Sequence, residues 1–337
     1  DGDGIHDLVV GAYQSCAVHI YSGSVGALPD EPDATLSSTE TDNEEYGYAL
    51  AAASDVDGDG YDDLLIGAYR YDNTSGDRQV GRLYVAMGSA SGVASTHTLH
   101  DEGTTAGDGL GVSMAGGGDV DSDGYDDLIV GLDSGDVRIY HGSSAGLEAS
   151  ATTSLAGSSG WFGPEVAMAG DVNGDGHDDI MVADQETSSG TGSAYIHHGS
   201  ASGVLSTATT TITGSTSYTR LGAALSRAGD VNGDGYDDVL VGAQGYSSYT
   251  GAAYVHRGSP AGVSPTAAST LSGSSSSYFG SAVFGGLDLD GDGDLDPLGR
   301  NSVNRGRRYD GPGDGLITQV ASATDGSGGF APSLGLA

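Results

Sequence analysis

The sequence predicts an all-β protein, a β-propeller of four-stranded blades, and three observations predict it. One acidic loop pattern recurs six times, each copy runs into an apolar strand, and the intervening segments alternate apolar and polar residues at the strand period. The copies read DGDGIHDLVVGAY from residue 1, DVDGDGYDDLLIGAY from 55, DVDSDGYDDLIVGLD from 119, DVNGDGHDDIMVADQ from 171, DVNGDGYDDVLVGAQ from 230 and DLDGDGDLDPLGR from 288. From the second copy onward they start 52 to 64 residues apart, a period that suits a repeat array rather than a two-domain globule.

The repeat near residue 221 shows its elements in order. LGAALSRAG at 221–229 is a strand of small residues, the acidic loop follows at 230–238, and VLVGA at 239–243 is a more apolar strand. GAAYVHRGS at 251–259 alternates as a third strand, and STLSG at 269–273 is a short outer fourth. Small residues such as Ala51, Ala52, Ala53, Gly116, Gly117 and Gly118 in the first strand suit the inner rim of a propeller, where backbones crowd. The propeller is expected over 1–296, in repeats at about 1–45, 46–108, 109–160, 161–219, 220–277 and 278–296 onward. In the last copy PLGRN replaces the expected second strand, and Pro297 removes a ladder donor. Residues 297–337, with Arg300, Arg305, Arg307 and Arg308 close together, read as a degenerate last blade or a flexible tail.

Charge narrows the partners. The 47 Asp and Glu against 11 Arg and no Lys give a formal charge of −36, a field that repels nucleic acid and anionic membrane surfaces and attracts cations. No run of apolar residues is long enough to span a bilayer. A single cysteine, Cys16, leaves no internal disulfide framework. The first copy starts two positions late, with Asp1 opposite Asp57, so the chain is expected to be truncated at its N-terminus and to show no signal peptide.

These repeats resemble FG-GAP repeats, the blades of the integrin alpha-chain β-propeller and of bacterial extracellular proteins. The FG part stands as WFG at 161–163 and YFG at 278–280, weakened to EYG at 45–47 and RLG at 220–222. The GAP-like part stands as VGAY at 10–13, IGAY at 66–69 and VGAQ at 241–244. The resemblance implies a metal loop between the first and second strands of each blade and a seven-bladed ring. A ring of fewer blades, closed by pairing 280–287 with the N-terminal strands, stays open as an alternative.

Within the loops, side-chain oxygens fall at positions 1, 3, 5 and 9, Gly stands at position 6, and the main-chain carbonyl of position 7 completes the set. The complete sets are Asp55, Asp57, Asp59, Tyr61 and Asp63; Asp119, Asp121, Asp123, Tyr125 and Asp127; Asp171, Asn173, Asp175, His177 and Asp179; and Asp230, Asn232, Asp234, Tyr236 and Asp238. The last copy offers Asp288, Asp290, Asp292, Asp294 and Asp296, and the shortened first copy Asp1, Asp3 and Asp7. Hard oxygen ligands select Ca²⁺. An EF-hand is excluded because position 12 is Ile66, Val130, Val182 or Val241, not a bidentate carboxylate. Carboxylates crowded into nine residues repel one another, so the ion is expected to stabilise the blades, at dissociation constants on the order of 10⁻⁴ to 10⁻³ M. Asn at position 3 lowers the ligand charge of two sites.

Other motifs read as structure. Gly142, Ser143, Ser144, Ala145 and Gly146 spell G-x-S-x-G, but the same slot reads GSASG at 88 and 199 and GSPAG at 258, a turn after the third strand rather than a nucleophile elbow. His197 and His198 are adjacent on a strand and face opposite sides, which disfavours a shared metal. Tyr13, Tyr69, Tyr84, Tyr140, Tyr195 and Tyr254 recur at fixed places and suit packing between sheets, with sugar stacking as the competing role. Asn73, Thr74 and Ser75 form a glycosylation sequon. The reading is a non-enzymatic, monomeric, extracellular or cell-surface propeller that binds a protein or glycan ligand on its face. The alternatives are a calcium-dependent lectin-like propeller and the accessory propeller of a larger secreted enzyme.

Overall fold

In a computed structural model of the chain, the residues described are 2–25, 29–38, 44–157, 161–274 and 276–286, with the backbone of three short strands beyond them. All of the sheets are antiparallel and built from consecutive strands, the organisation of β-propeller blades. The strands fall into two compact bodies: residues 1–119 with 123–156, and 157–328 with 120–122.

The first body holds three sheets. β1 (Leu8–Ala12), β2 (Ala17–Tyr21) and β3 (Ala34–Ser37) form a three-stranded sheet. β4 (Ala49–Ser54), β5 (Asp63–Ala68), β6 (Arg82–Ala86) and β7 (Thr98–Glu102) form the next. β8 (Leu110–Gly118), β9 (Asp127–Leu132), β10 (Asp136–Tyr140) and β11 (Thr153–Ala156) form the third.

The second body repeats the order with β12 (Phe162–Gly170), β13 (Asp179–Asp184), β14 (Ser193–His197) and β15 (Thr210–Thr213), then β16 (Leu221–Gly229), β17 (Asp238–Ala243), β18 (Ala252–His256) and β19 (Ser269–Ser272). Its last sheet is β20 (Ala282–Phe284), β21 (Leu298–Arg300), β22 (Gly306–Arg308) and β23 (Gln319–Val320). This last sheet corrects one expectation. Leu298–Arg300 pairs with Ala282–Phe284, so a second strand forms within the segment PLGRN, because residues that follow a proline keep their own N–H groups; Pro297 itself lies outside the described residues.

Burial follows position in the sheet. Every residue of β5, β9, β13 and β17 is buried, as expected of strands covered on both faces. The outer strands β3, β11, β15 and β19 each bury one side chain, Leu36, Leu155, Ile212 and Leu271. The apolar core lies between successive sheets: Leu65, Val85, Leu110, Val130 and Tyr140 join two sheets of the first body, and Met181, Ile196, Leu225 and Val241 two of the second. Fully burying an aliphatic side chain of this size contributes roughly 1.5–3 kcal/mol.

The FG and GAP motifs meet at these seams. A methyl group on Gly11 would run into the carbonyl of Gly47, one on Gly67 into that of Gly111, and one on Gly242 into that of Gly280. The second glycine of each pair has a left-handed backbone, with φ 83°, 87° and 81°. First strands are equally close: a methyl on Gly116 would stand 2.8 Å from Ala52 O and from the Cα of Ala53. The small residues of the first strands are thus required by backbone approach.

Tyrosines of the third strands pack on aromatic rings nearby, with centroids 5.3 Å apart for Tyr84 and Tyr46, 5.3 Å for Tyr140 and His100, and 5.5 Å for Tyr195 and Phe162. Among the described residues, no helix is long and apolar enough to cross a membrane.

Candidate metal centres

Each of the acidic loops at 55, 119, 171 and 230 joins the first strand of a sheet to the second, and its main chain folds around the position-1 carboxylate. Asp55 Oδ1 accepts the Asp59 N–H at 2.8 Å and Oδ2 the Gly60 N–H at 2.7 Å. The same pair recurs from Asp123 and Gly124 to Asp119, from Asp175 and Gly176 to Asp171, and from Asp234 and Gly235 to Asp230. The position-5 carboxylate accepts the N–H two residues on, from Tyr61, Tyr125, His177 or Tyr236. These bonds turn the side chains inward and leave each oxygen a further lone pair.

Position 9 does a second job. Asp63 is buried, with Oδ1 accepting the Gly88 N–H at 2.7 Å and Oδ2 the Val56 N–H at 3.2 Å. Asp179 does the same with Gly199 and Val172, and Asp238 with Gly258 and Val231; Asp127 accepts from Gly142. Burial raises the Asp63 and Asp238 carboxyls to about 6 and that of Asp179 to about 7, against the hydrogen bonds that lower them. A buried carboxylate that holds its charge only with difficulty favours a cation beside it.

The structure brings Asp55, Asp57 and Asp59 together, with ligand oxygens within 4.8 Å of one another, and likewise Asp119, Asp121 and Asp127. In the loops with Asn at position 3, the amide is a donor: Asn173 Nδ2 reaches Asp175 Oδ2 at 2.9 Å, and Asn232 Nδ2 reaches Asp234 Oδ2 at 3.0 Å. In the first copy, Asp7 Oδ1 accepts the Gly23 N–H at 2.7 Å, the bond expected of position 9, and Asp3 accepts that of Ile5. Asp1 and the last loop, Asp288 to Asp296, lie outside the described residues. The all-oxygen donor sets fit a hard divalent cation such as Ca²⁺.

Several sequence motifs find structural roles. Ser143 Oγ donates to the Gly146 carbonyl, as Ser89 does to Gly92, Ser200 to Gly203 and Ser259 to Gly262, so G-x-S-x-G is one instance of a repeated turn. Asn73 Nδ2 donates to Asp77 and its Oδ1 accepts two N–H groups, which ties up the sequon amide in a turn. His197 and His256 are buried, with Nδ1 donating to the carbonyls of Leu205 and Ser264, and burial lowers their pKa so that they stay neutral.

Position 8 escaped the sequence reading. Asp126 Oδ2 accepts the Asp55 N–H at 3.2 Å, and Asp237 Oδ2 the Asp171 N–H at 3.0 Å, so each ties its loop to the preceding one. The signal was present: Asp62, Asp126, Asp178 and Asp237 fill position 8 in four successive copies.

The repeats match known families. The FG-GAP-like repeat family matches residues 119–182, 171–241 and 230–298, and the FG-GAP repeat family residues 46–85. Integrin alpha pat-2 of Caenorhabditis elegans is 28% identical over 254 residues, 66% of this chain and 20% of that protein. Integrin alpha-6 of Homo sapiens is 33% identical over 141 residues, covering 41% and 12%, and integrin alpha-PS2 of Drosophila melanogaster 42% over 114 residues, covering 31% and 8%. The chain thus spans a fifth or less of the length of these relatives. Among solved structures, BBS1N in complex with ARL6DN, soaked with lead, shares the fold at a TM-score of 0.57 and 14% identity, covering 96% of this chain and 79% of that one. The matches along 119–298, together with the loops and glycine seams just described, place the chain in the FG-GAP-like repeat family.

Proposed function

We propose that this chain is a calcium-stabilised β-propeller module of the cell surface or extracellular space that binds a macromolecular ligand in adhesion, without catalysing a reaction. The observation that carries the reading is the recurrence of one inward-turned oxygen loop in integrin-alpha-like repeats, supported by clustered carboxylates in two copies. Asp55, Asp57, Asp59 and Asp63 with the Tyr61 carbonyl would hold one ion, and the sets at 119, 171 and 230 the others. Bound calcium would neutralise the crowded carboxylates and close each loop. Calorimetric titration of chelated protein with calcium tests this: about four sites of sub-millimolar to millimolar affinity are expected. No heat and no change in melting temperature would overturn it.

A second reading, that the ligand is an uncharged glycan, is favoured by one surface. On a chain of charge −36, segments 244–251 and 273–281 carry no charged residue and are rich in Ser, Gly and Tyr, the composition of adaptable binding loops. Tyr218, Tyr249 and Tyr278 are exposed there. The Tyr249 and Tyr278 rings stand 4.9 Å apart, and the Tyr278 N–H bonds to the Tyr249 carbonyl at 2.9 Å. Binding to a glycan array that disappears in Tyr249→Ala would favour the glycan; binding to protein ligands alone would favour the first reading.

A further inference from the structure

The seams between sheets carry more than apolar packing: they join the acidic loops to one another. Each position-7 side chain lies on position 4 of the preceding loop. A methyl added to Gly58 would stand 2.7 Å from the Tyr125 ring, one on Gly174 2.6 Å from that of Tyr236, and one on Gly2 2.8 Å from that of Tyr61. Where position 4 is Ser122, its Oγ lies 2.7 Å from His177 Nδ1 and also bonds to the Gly176 carbonyl. Position 4 has a left-handed backbone throughout, with φ 74° at Gly58, 57° at Ser122, 75° at Gly174 and 71° at Gly233.

Position 8 adds a two-way hydrogen bond. While Asp126 Oδ2 accepts the Asp55 N–H, the Asp126 N–H points to the Asp55 carbonyl at 3.4 Å; the Asp237 N–H meets the Asp171 carbonyl at 3.1 Å. The carbonyl one residue on is held as well, Val56 by the Ser143 N–H and Val172 by the Ser259 N–H, each at 3.0 Å. Position 1 of one loop is therefore clamped by a residue that sits between positions 7 and 9 of the next. Those flanking positions are ion ligands in the reading above. Fixing them fixes position 8, which in turn sets the backbone of the residue around which the preceding loop folds.

We infer that ion binding is coupled between the loops at 55 and 119 and between those at 171 and 230, occupancy of the later loop raising the affinity of the loop before it, with Asp126 and Asp237 as the positioning residues that transmit the effect. This rests on the loops being calcium sites. A position-8 carboxylate that is only a seam bond would stabilise the fold and leave the affinities independent. Coupling through a two-state element is reciprocal, so emptying the earlier loop must weaken the later one by the same factor.

The test uses the full chain with Asp171→Asn and Asp230→Asn, which confines the complete sites to the loops at 55 and 119. Titration with terbium, read by tyrosine-sensitised luminescence, and with calcium, read by calorimetry, gives the affinities. Asp121→Ala removes the loop at 119 as a site. The expected result is a loss of about fivefold or more in affinity at the loop at 55. In Asp126→Ala that dependence disappears, and in Asp126→Asn, which keeps an acceptor oxygen, it returns. Circular dichroism melting in saturating calcium shows that each variant is folded. An unchanged affinity in Asp121→Ala overturns the coupling, as does Asp126→Ala that lowers melting while the dependence persists. Absence of ion binding in the unmutated chain overturns the calcium reading itself and is seen before any variant is made.

Discussion

The loops at 55 and 119 carry Asp at position 3, and those at 171 and 230 carry Asn, within an otherwise shared scheme of hydrogen bonds. In the first pair, three carboxylates converge within 4.8 Å and rely on main-chain N–H groups to offset their repulsion. In the second pair, Asn173 and Asn232 each donate to the position-5 carboxylate, so a like-charge contact becomes an attraction. One loop shape is thus held closed in two ways. On the proposed calcium reading, the Asp loops gain more from the ion than the Asn loops, which already have this side-chain bond.

Chelation should have the largest effect. Removing calcium is expected to lower the melting temperature, with amide hydrogen exchange rising most at 55–63 and 119–127 and less at 171–179 and 230–238. Equal rises in all four loops would break the comparison between Asp and Asn loops. An unchanged melt would remove the structural role of the ion altogether.

Substitution at position 9 should be next, and insensitive to the Asp/Asn difference. Asp63→Ala leaves the Gly88 N–H without its acceptor and the Val56 N–H with only the Ser54 carbonyl, and Asp238→Ala takes the acceptor from both Val231 and Gly258. At about 1–3 kcal/mol for each orphaned group, Asp63→Ala should lose roughly 1–3 kcal/mol and Asp238→Ala roughly 2–6 kcal/mol by denaturant unfolding, even in saturating calcium. A loss below about 1 kcal/mol would show that water replaces the carboxylate.

A pH series sharpens the same point. In metal-free protein the raised pKa values of Asp63, Asp179 and Asp238 mean that the folded state holds more protons than the unfolded chain. The stability these groups supply is fully present below their ordinary range near about pH 4, and is lost as pH rises through about 6 to 7. Calcium must displace those protons, so its affinity should weaken as pH falls through the same window. The gap in melting temperature between calcium and chelator should widen from about pH 5 to about pH 8; a constant gap would contradict it.

The smallest effects belong to position 3 itself. Asn173→Asp should tighten calcium at that loop several-fold and lower stability in chelator by less than about 1 kcal/mol, with Asp57→Asn giving the reverse. Calorimetry and melting on the same samples check both signs together.

Much of this was legible in the sequence. The expected strands at 221–229, 239–243, 251–259 and 269–273 contain or overlap β16, β17, β18 and β19 to within two or three residues, because small residues, apolar runs and alternation mark distinct places in a blade. The spacing of the loop carboxylates was legible because a repeated nine-residue pattern is local. The cross-seam roles of Tyr125, Asp126 and Asp237 were not, because their partners lie 66 to 71 residues away and no local pattern names them. The strand Leu298–Arg300 was not expected, because a proline next to a short apolar run reads as a break in the ladder.

The meeting of Gly67 with Gly111, and of Gly242 with Gly280, has a consequence for how such chains change over generations. A boundary made by main chain against main chain carries little residue-specific information, unlike a jigsaw of large side chains. Gene duplication or recombination that inserts, removes or exchanges a whole sheet therefore preserves this main-chain contact and leaves the apolar side chains of the seam as the part to be matched. The glycines thus give copies of different surface character a common thread pitch.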